Sequence, residues 1–251
     1  MPLSSALQSS RFELKYLVSE AAARAIRDFC LSYLEPDEHD DPTEGFEYAV
    51  HSLYLDSPGL ALCRSTLQGH KNRFKLRIRF YDESPESPAF LEIKRRLNDV
   101  ILKQRCAVRR TAIPRILAGH WPAPEDVLDK GPRGHVALTQ FCDLAGSIQA
   151  EGQIFVSYKR EAYVTTQNNS VRLTFDRRLF GTRYTGLGAL HVNGDRVYPD
   201  LPGVILELKF TDRFPAWMGH LSRVFNLERR SAAKYCYCAF AVLGISQFQL
   251  T

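Results

Sequence analysis

Hydrophobic and polar residues alternate with a period of two along much of this chain. In the stretch 71–80, KNRFKLRIRF, the odd positions are Lys71, Arg73, Lys75, Arg77 and Arg79, and the even ones from 74 on are Phe74, Leu76, Ile78 and Phe80. Successive side chains of a β-strand point to opposite faces, so the stretch predicts a strand with one cationic and one apolar face. Like charges repeating roughly every 6.5–7 Å along a strand repel one another. Such a face must be well solvated or must meet a polyanion. A charged and an apolar parity recur in RFELKYLV (11–18), FLEIKRR (90–96), VRLTFDRRL (171–179) and GVILELKF (203–210), and less cleanly in VILKQRCAVRR (100–110); YAVHSLYLD (48–56) and GQIFVSYKREAYV (152–164) also read as strands. In the 171–179 stretch, Arg172, Thr174, Asp176 and Arg178 share a face.

Helical spacing fills the gaps. Ser19 caps a helix that ends before Pro36, and Ser57-Pro58 opens a short one through Leu67. Two more close the chain, over 215–225 and 231–243. Asn98-Asp99 suits a tight hairpin turn between two of the strands. Residues 111–150, broken by Pro114, Pro122, Pro124 and Pro132, read as a helical insertion. The segment 35–47 reads as a solvated acidic loop with Asp37, Glu38, Asp40, Asp41 and Glu44, and 181–202 is Gly-rich without a clear period.

At 251 residues, 45% hydrophobic and 24% charged, the chain has the composition of a soluble globular protein. Patterned strands spread from end to end predict one domain over 1–251, with a core of about 11–240. A net charge of +5 gives no reason to expect a nucleic-acid partner. The 33 cations divide into 24 Arg and 9 Lys, and Arg's planar fork suits phosphate and carboxylate, although GC-rich coding also enriches Arg. Six cysteines without CxxC spacing read as reduced thiols. The N-terminal MPLSSALQSS lacks a signal-peptide pattern, and the longest apolar run, 238–245, is too short to cross a bilayer. The expected compartment is the cytoplasm.

An antiparallel sheet with a wet outer face would show the same alternation. Here, however, the charged positions are nearly all Arg, Lys or Glu, and the helices have apolar stripes that need the strands' apolar faces. Together these predict an α+β fold in which a closed antiparallel β-barrel tunnel has helices packed outside and charges inside. Glu13, Glu92, Asp176 and Glu207 in that lining could hold Mg²⁺ or Mn²⁺, or form plain salt bridges with neighbouring cations. No GxSxG, HxxxH, HExxH or Gly-rich phosphate loop occurs, so any ATP must be held by side chains on strands.

RFELKYLV, SLYLD (52–56), KLRIRFY (75–81), FLEIK (90–94), YKREAY (158–163), VRLTFD (171–176), ILELK (205–209) and SAAKY (231–235), in that order, resemble the VTC domain, a polyphosphate polymerase domain among the triphosphate tunnel metalloenzymes. The resemblance implies transfer of the γ-phosphoryl group of ATP to a growing inorganic polyphosphate chain, with a divalent metal. By motif position it implies phosphate contacts from Lys15, Arg77, Arg79, Lys94, Arg160, Arg172, Lys209 and Lys234, and less directly from Lys103 and Arg105, with Glu207 as the main metal ligand. Lys75 shares the cationic face of Arg77 and Arg79, which with Lys15 and Glu207 would be the catalytic set. Two departures stand out. Arg11 replaces the first acid of an ExExK motif, and Ala233 replaces a hydroxyl residue before Lys234. Coupling to translocation would need a membrane partner protein. The other readings are a tunnel triphosphatase hydrolysing tripolyphosphate or a nucleoside triphosphate, and a non-catalytic module binding polyphosphate or inositol phosphate.

Overall fold

A computed structural model describes residues 11–38, 46–98, 100–166, 170–186, 190–211 and 213–246. The N-terminal MPLSSALQSS, Asp40, Asp41 and Glu44 of the acidic loop, and Asp99 of the expected hairpin turn lie outside them. The strands are β1 (Arg11–Val18), β2 (Glu35–Pro36), β3 (Tyr48–Asp56), β4 (Asn72–Phe80), β5 (Ala89–Leu97), β6 (Val100–Val108), β7 (Glu151–Val164), β8 (Val171–Arg183) and β9 (Val204–Thr211). The helices are α1 (Glu20–Cys30), α2 (Ala61–Leu67), α3 (Ile113–Leu117), α4 (Pro132–Ser147), α5 (Ala216–Val224) and α6 (Lys234–Leu243). Ser19 caps α1 as its sequence position predicts, accepting from Ala22 N–H at 3.1 Å. The start of α2 is satisfied instead by Asp56, whose carboxylate accepts from the backbone N–H of Ser57, Leu62 and Cys63.

All pairings are antiparallel, in the order β2-β7-β3-β4-β5-β6-β1-β9-β8, with β7 pairing β8 as well. The mixed α+β architecture and the large antiparallel sheet match the sequence reading. Closure into a barrel is not established, because β6 and β1 meet at the single pair Arg11–Ile101 rather than along a ladder. The sheet is nevertheless strongly curled, since side chains reach across intervening strands. Lys94 on β5 meets Glu13 on β1 at 2.9 Å across β6, and Arg160 on β7 comes within 3.7 Å of Glu207 on β9 across β8. With β8, at one end of the strand order, pairing back to β7 near the other, these contacts lie on the concave side of a curled sheet.

The apolar face supports two outer cores. Leu76, Ile78, Phe80, Leu91, Ile93 and Cys106 pack with Ile113 of α3 and Phe141 of α4, all essentially fully buried. Burying each such Leu, Ile or Phe contributes about 1.5–3 kcal/mol. Tyr16, Leu173, Phe175, Leu206 and Leu208 pack with Ile26 of α1 and with Met218 and Leu221 of α5. The expectation that all helices lie outside fails for α6. Its Tyr235, Cys238 and Ala239 pack with Val50, Tyr54, Ile154, Val156 and Ile205. These strand residues share the parity of the charged face, so α6 covers one end of the concave side. The run YCYCAFAVL is apolar all round, which suits a helix enclosed by a curled sheet.

Two further departures have local causes. A bulge between Ser157 and Lys159 resets the parity of β7 against β8. Arg178 adopts φ 53° and is exposed, which ends the alternation that would have kept it with Asp176. At the entry to β9, Gly203 has φ 101°, and a Cβ there would collide with the Val18 carbonyl oxygen.

Candidate functional site: a chain of carboxylates and cations in the concave face

The charged side chains of the concave face form one connected network. At its centre Glu207 accepts Lys234 Nζ at 2.7 Å on one oxygen and Lys209 Nζ at 2.6 Å on the other, with Lys15 Nζ at 3.3 Å. Lys15 also meets Glu13 at 3.0 Å, and Glu13 holds Lys94. In the other direction Lys234 meets Asp176 at 2.6 Å, and Asp176 receives a two-pronged bond from Arg160, Nε to Oδ1 at 2.7 Å and Nη2 to Oδ2 at 2.8 Å. The sequence Lys94–Glu13–Lys15–Glu207–Lys234–Asp176–Arg160 thus alternates in charge across five strands and a helix.

A second cluster is centred on Glu92, which is 1% exposed. Arg77 Nε and Nη2 lie 2.8 and 2.7 Å from its Oε2, Lys103 lies 2.5 Å from Oε1, and Arg79 stands 3.8 Å away. Arg79 reaches Ser52 and the Tyr158 hydroxyl, each at 3.4 Å, and Arg77 reaches the Tyr54 hydroxyl at 3.2 Å. Lys75 is the cross-strand partner of Lys94. Arg172 stands apart from both clusters, paired with the buried Asp37 at 2.7 Å and the Tyr48 hydroxyl at 3.1 Å. Arg105 is exposed, its guanidinium 5.0 Å from the centre of the Phe90 ring. The structure therefore gathers all the candidate residues on one concave face, with Arg105 and Arg172 at its margin.

Several members of this set lay beyond the sequence reading. Tyr48, Ser52 and Tyr54 share one parity of YAVHSLYLD, which was the available signal. Asp37 sits just past the two-residue β2, too short to show a period.

The field of the cations dominates these carboxylates. Burial opposes the ionisation of Glu13, but Lys94 and Lys15 outweigh it and hold the carboxyl well below the usual range. Glu207 is depressed likewise, burial being overcome by Lys209 and Lys234. Burial raises and Arg77 and Arg79 lower Glu92, with a net fall, and Asp176 falls because Arg160 and Lys234 prevail over burial. The lysines divide. Lys15 and Lys234 rise despite burial, Lys15 through Glu13 and Glu207, and Lys234 through Asp176 and Glu207. Lys94 is pushed down to about 8, because burial outweighs the attraction of Glu13. Burial also lowers Lys75 and Lys209. An anion beside these lysines would stabilise their charged forms.

Among the described residues no three His, Cys, Asp or Glu side chains converge as a ready-made metal site. Glu13 and Glu207 nevertheless suit a hard divalent ion: both are ionised, both offer oxygen, and both contact a single cation position, that of the Lys15 ammonium. Mg²⁺-type ions bind through one or two carboxylates together with substrate phosphates. The pair therefore fits an ion that arrives with a phosphate chain. Glu92 and Asp176 are more fully engaged by guanidinium groups.

A separate cleft lined by Glu20, Arg24, Arg27, Glu47, Glu161 and Arg177 lies between α1 and the sheet. Its charges are largely balanced, with Arg177 bound by Glu20, Glu47 and Glu161.

Among solved structures, a candidate adenylate cyclase from Bacillus halodurans is 16% identical, with a TM-score of 0.49 and coverage of 89% of this chain and 94% of that one. A Pyrococcus horikoshii protein is 14% identical, with a TM-score of 0.41 and coverage of 88% and 94%. Comparison with curated proteins finds no significant match. The model of the VTC domain matches residues 10–243, a span that contains every strand and helix from β1 to α6 and every residue of the charged network. The chain belongs to the VTC-domain family.

Proposed function

We propose that this protein is a polyphosphate polymerase that transfers the γ-phosphoryl group of ATP to the end of an inorganic polyphosphate chain, the curled sheet serving as a tunnel. The observation that carries this reading is the concave network itself, in which Lys15, Arg77, Arg79, Lys94, Lys103, Arg160, Lys209 and Lys234 surround only four carboxylates. Such an excess of donors favours a ligand of high negative charge density over a neutral one.

Phosphoryl transfer needs little covalent help from a protein; it needs alignment and neutralisation of charge. In this reading Arg77 and Arg79 grip the oxygens of the transferring group, and Arg160, Lys94, Lys209 and Lys234 hold the flanking phosphates. Lys103 and Arg172 receive the chain toward the margin, Arg105 adds charge at the rim, and Lys75 adds charge beside Lys94. A terminal oxygen of the polyphosphate forms a bond to the γ-phosphorus as the bond to the β–γ bridging oxygen breaks, and ADP leaves. Lys15 keeps Glu13 and Glu207 ionised and oriented. A divalent ion, Mg²⁺ or Mn²⁺, held by Glu207 and Glu13 would supply further neutralisation of phosphate charge. Glu92 fixes the directions of Arg77 and Lys103, and Asp176 those of Arg160 and Lys234.

One observation favours a second reading. Because α6 covers one end of the concavity, a short substrate would fit without needing a second exit, and a tripolyphosphate or nucleotide triphosphatase would suffice. Among the described residues no helix is long and apolar enough to cross a membrane. In the polymerase reading a membrane partner protein exports the product. We place the activity in the cytoplasm.

The test is a Glu207→Ala variant. Retained polyphosphate binding with loss of metal-dependent turnover supports the assignment, and unchanged turnover would remove Glu207 from the mechanism.

A further inference from the structure

The end of the concave face opposite α6 is rimmed by aromatic rings. Tyr48 begins β3, six residues before the Tyr54 that stacks on Tyr235 of α6. Tyr81 follows β4, two residues beyond Arg79 on the same parity, and Phe90 is the cross-strand partner of Arg79. The ring centres of Tyr48 and Tyr81 are 6.3 Å apart, and those of Tyr81 and Phe90 6.0 Å in an edge-to-face arrangement. Arg105 lies over Phe90 from β6, and no carboxylate holds it among the described residues. Tyr81 is 37% exposed, Phe90 is half-buried and Arg105 is exposed. None of these four residues holds phosphate in the interior of the network; Arg105 stands at its edge.

We propose that Tyr81, braced edge-on by Phe90, whose own face carries Arg105, presents the ring on which the purine base of the donor nucleotide stacks. The inference rests on the lumen reading above and adds to it the feature that selects a nucleotide over bare triphosphate. A flat π-face beside an arginine is the surface that takes a base, and such stacking tolerates any base while favouring the larger rings. Continuity with the phosphate contacts fixes which occupant it is. Arg77, Arg79 and Tyr81 follow one another on one face at roughly 6.5–7 Å. A base on Tyr81 therefore leaves its phosphate tail running inward over Arg79 to Arg77.

The experiment is titration calorimetry of wild-type protein, Tyr81→Ala and Tyr81→Trp with ATP and, separately, with inorganic tripolyphosphate. Tyr81 is partly exposed at the end of a strand, and Tyr81→Trp keeps a π-face there should Tyr81→Ala perturb folding. Loss of the stack should weaken ATP about fivefold or more in Tyr81→Ala, leave tripolyphosphate within twofold of wild type, and be reversed in Tyr81→Trp. ATP binding unchanged by Tyr81→Ala, with tripolyphosphate still bound, overturns the platform and leaves the lumen standing. Equal weakening of both ligands also overturns it, because Tyr81 would then act on phosphate. Failure of wild-type protein to bind either ligand overturns the lumen reading and the platform with it.

Discussion

Lys234 Nζ lies 2.7 Å from Glu207 Oε1, joining the first residue of α6 to the middle of β9 inside the concave face. The same ammonium lies 2.6 Å from Asp176 on β8. One lysine thus anchors the helix that covers one end of the concavity and compensates two buried carboxylates at the centre of the charged network.

Replacing Lys234 with Ala should therefore act on stability and binding together. Removing one partner of a buried pair costs about 3–5 kcal/mol when nothing else compensates the charge left behind. Here Arg160 still holds Asp176, and Lys15 and Lys209 still hold Glu207. We expect a loss at or below the lower end of that range in urea unfolding, and a clear loss of tripolyphosphate affinity. A variant as stable as wild type, with undiminished affinity, would remove Lys234 from the network.

Glu92→Gln should separate the structural use of charge from its use on a ligand. The substitution leaves Arg77, Arg79 and Lys103 without their shared carboxylate. The expected outcome is a melting temperature lowered by several degrees in buffer without polyanions. Tripolyphosphate should then raise it by more than it raises that of wild type, because the anion replaces the missing charge. Equal shifts in both proteins would show that the ligand does not sit among these cations.

Lys94 gives a pH signature. Its folded-state pKa, about 8, lies below the ordinary lysine value, so between about 8 and 10.5 the unfolded chain binds more protons than the folded one. Over that window Lys94 makes stability rise with pH, and below pH 8 its charging in the folded protein is a constant cost. A bound polyanion stabilises the charged form, so binding near pH 8 should take up protons. Calorimetry in buffers of different ionisation enthalpy should show this uptake, and it should shrink in Lys94→Met. No uptake in the wild type would mean that phosphate does not reach Lys94.

How much of this was legible in the sequence follows from the period of each element. The run from Lys71 to Phe80 has a strict period of two, and the structure keeps Lys75, Arg77 and Arg79 on the concave side while Leu76, Ile78 and Phe80 enter the outer core. The span expected for β3, Tyr48–Asp56, is also the one observed, although YAVHSLYLD alternates far less strictly. Arg178 was misplaced because a left-handed backbone conformation interrupts β8, and alternation cannot register such a turn at a non-glycine residue. The pairing of Arg172 with Asp37 was hidden by its separation along the chain. The position of α6 was hidden because an all-apolar helix looks the same whether it packs outside a sheet or within its curl. The carboxylates Glu13 and Glu207 were legible as members of the face, but not as the two partners of a single lysine.

The most direct test of the central claim is to follow the γ-phosphate. Purified protein is incubated with γ-labelled ATP, Mn²⁺ or Mg²⁺ and a short polyphosphate primer, and the products are resolved on a gel. Label should enter a ladder of lengthening polyphosphate, with one ADP formed for each phosphate added. Label appearing only as free phosphate, with the primer unchanged in length, would contradict the claim and identify the protein as a triphosphatase.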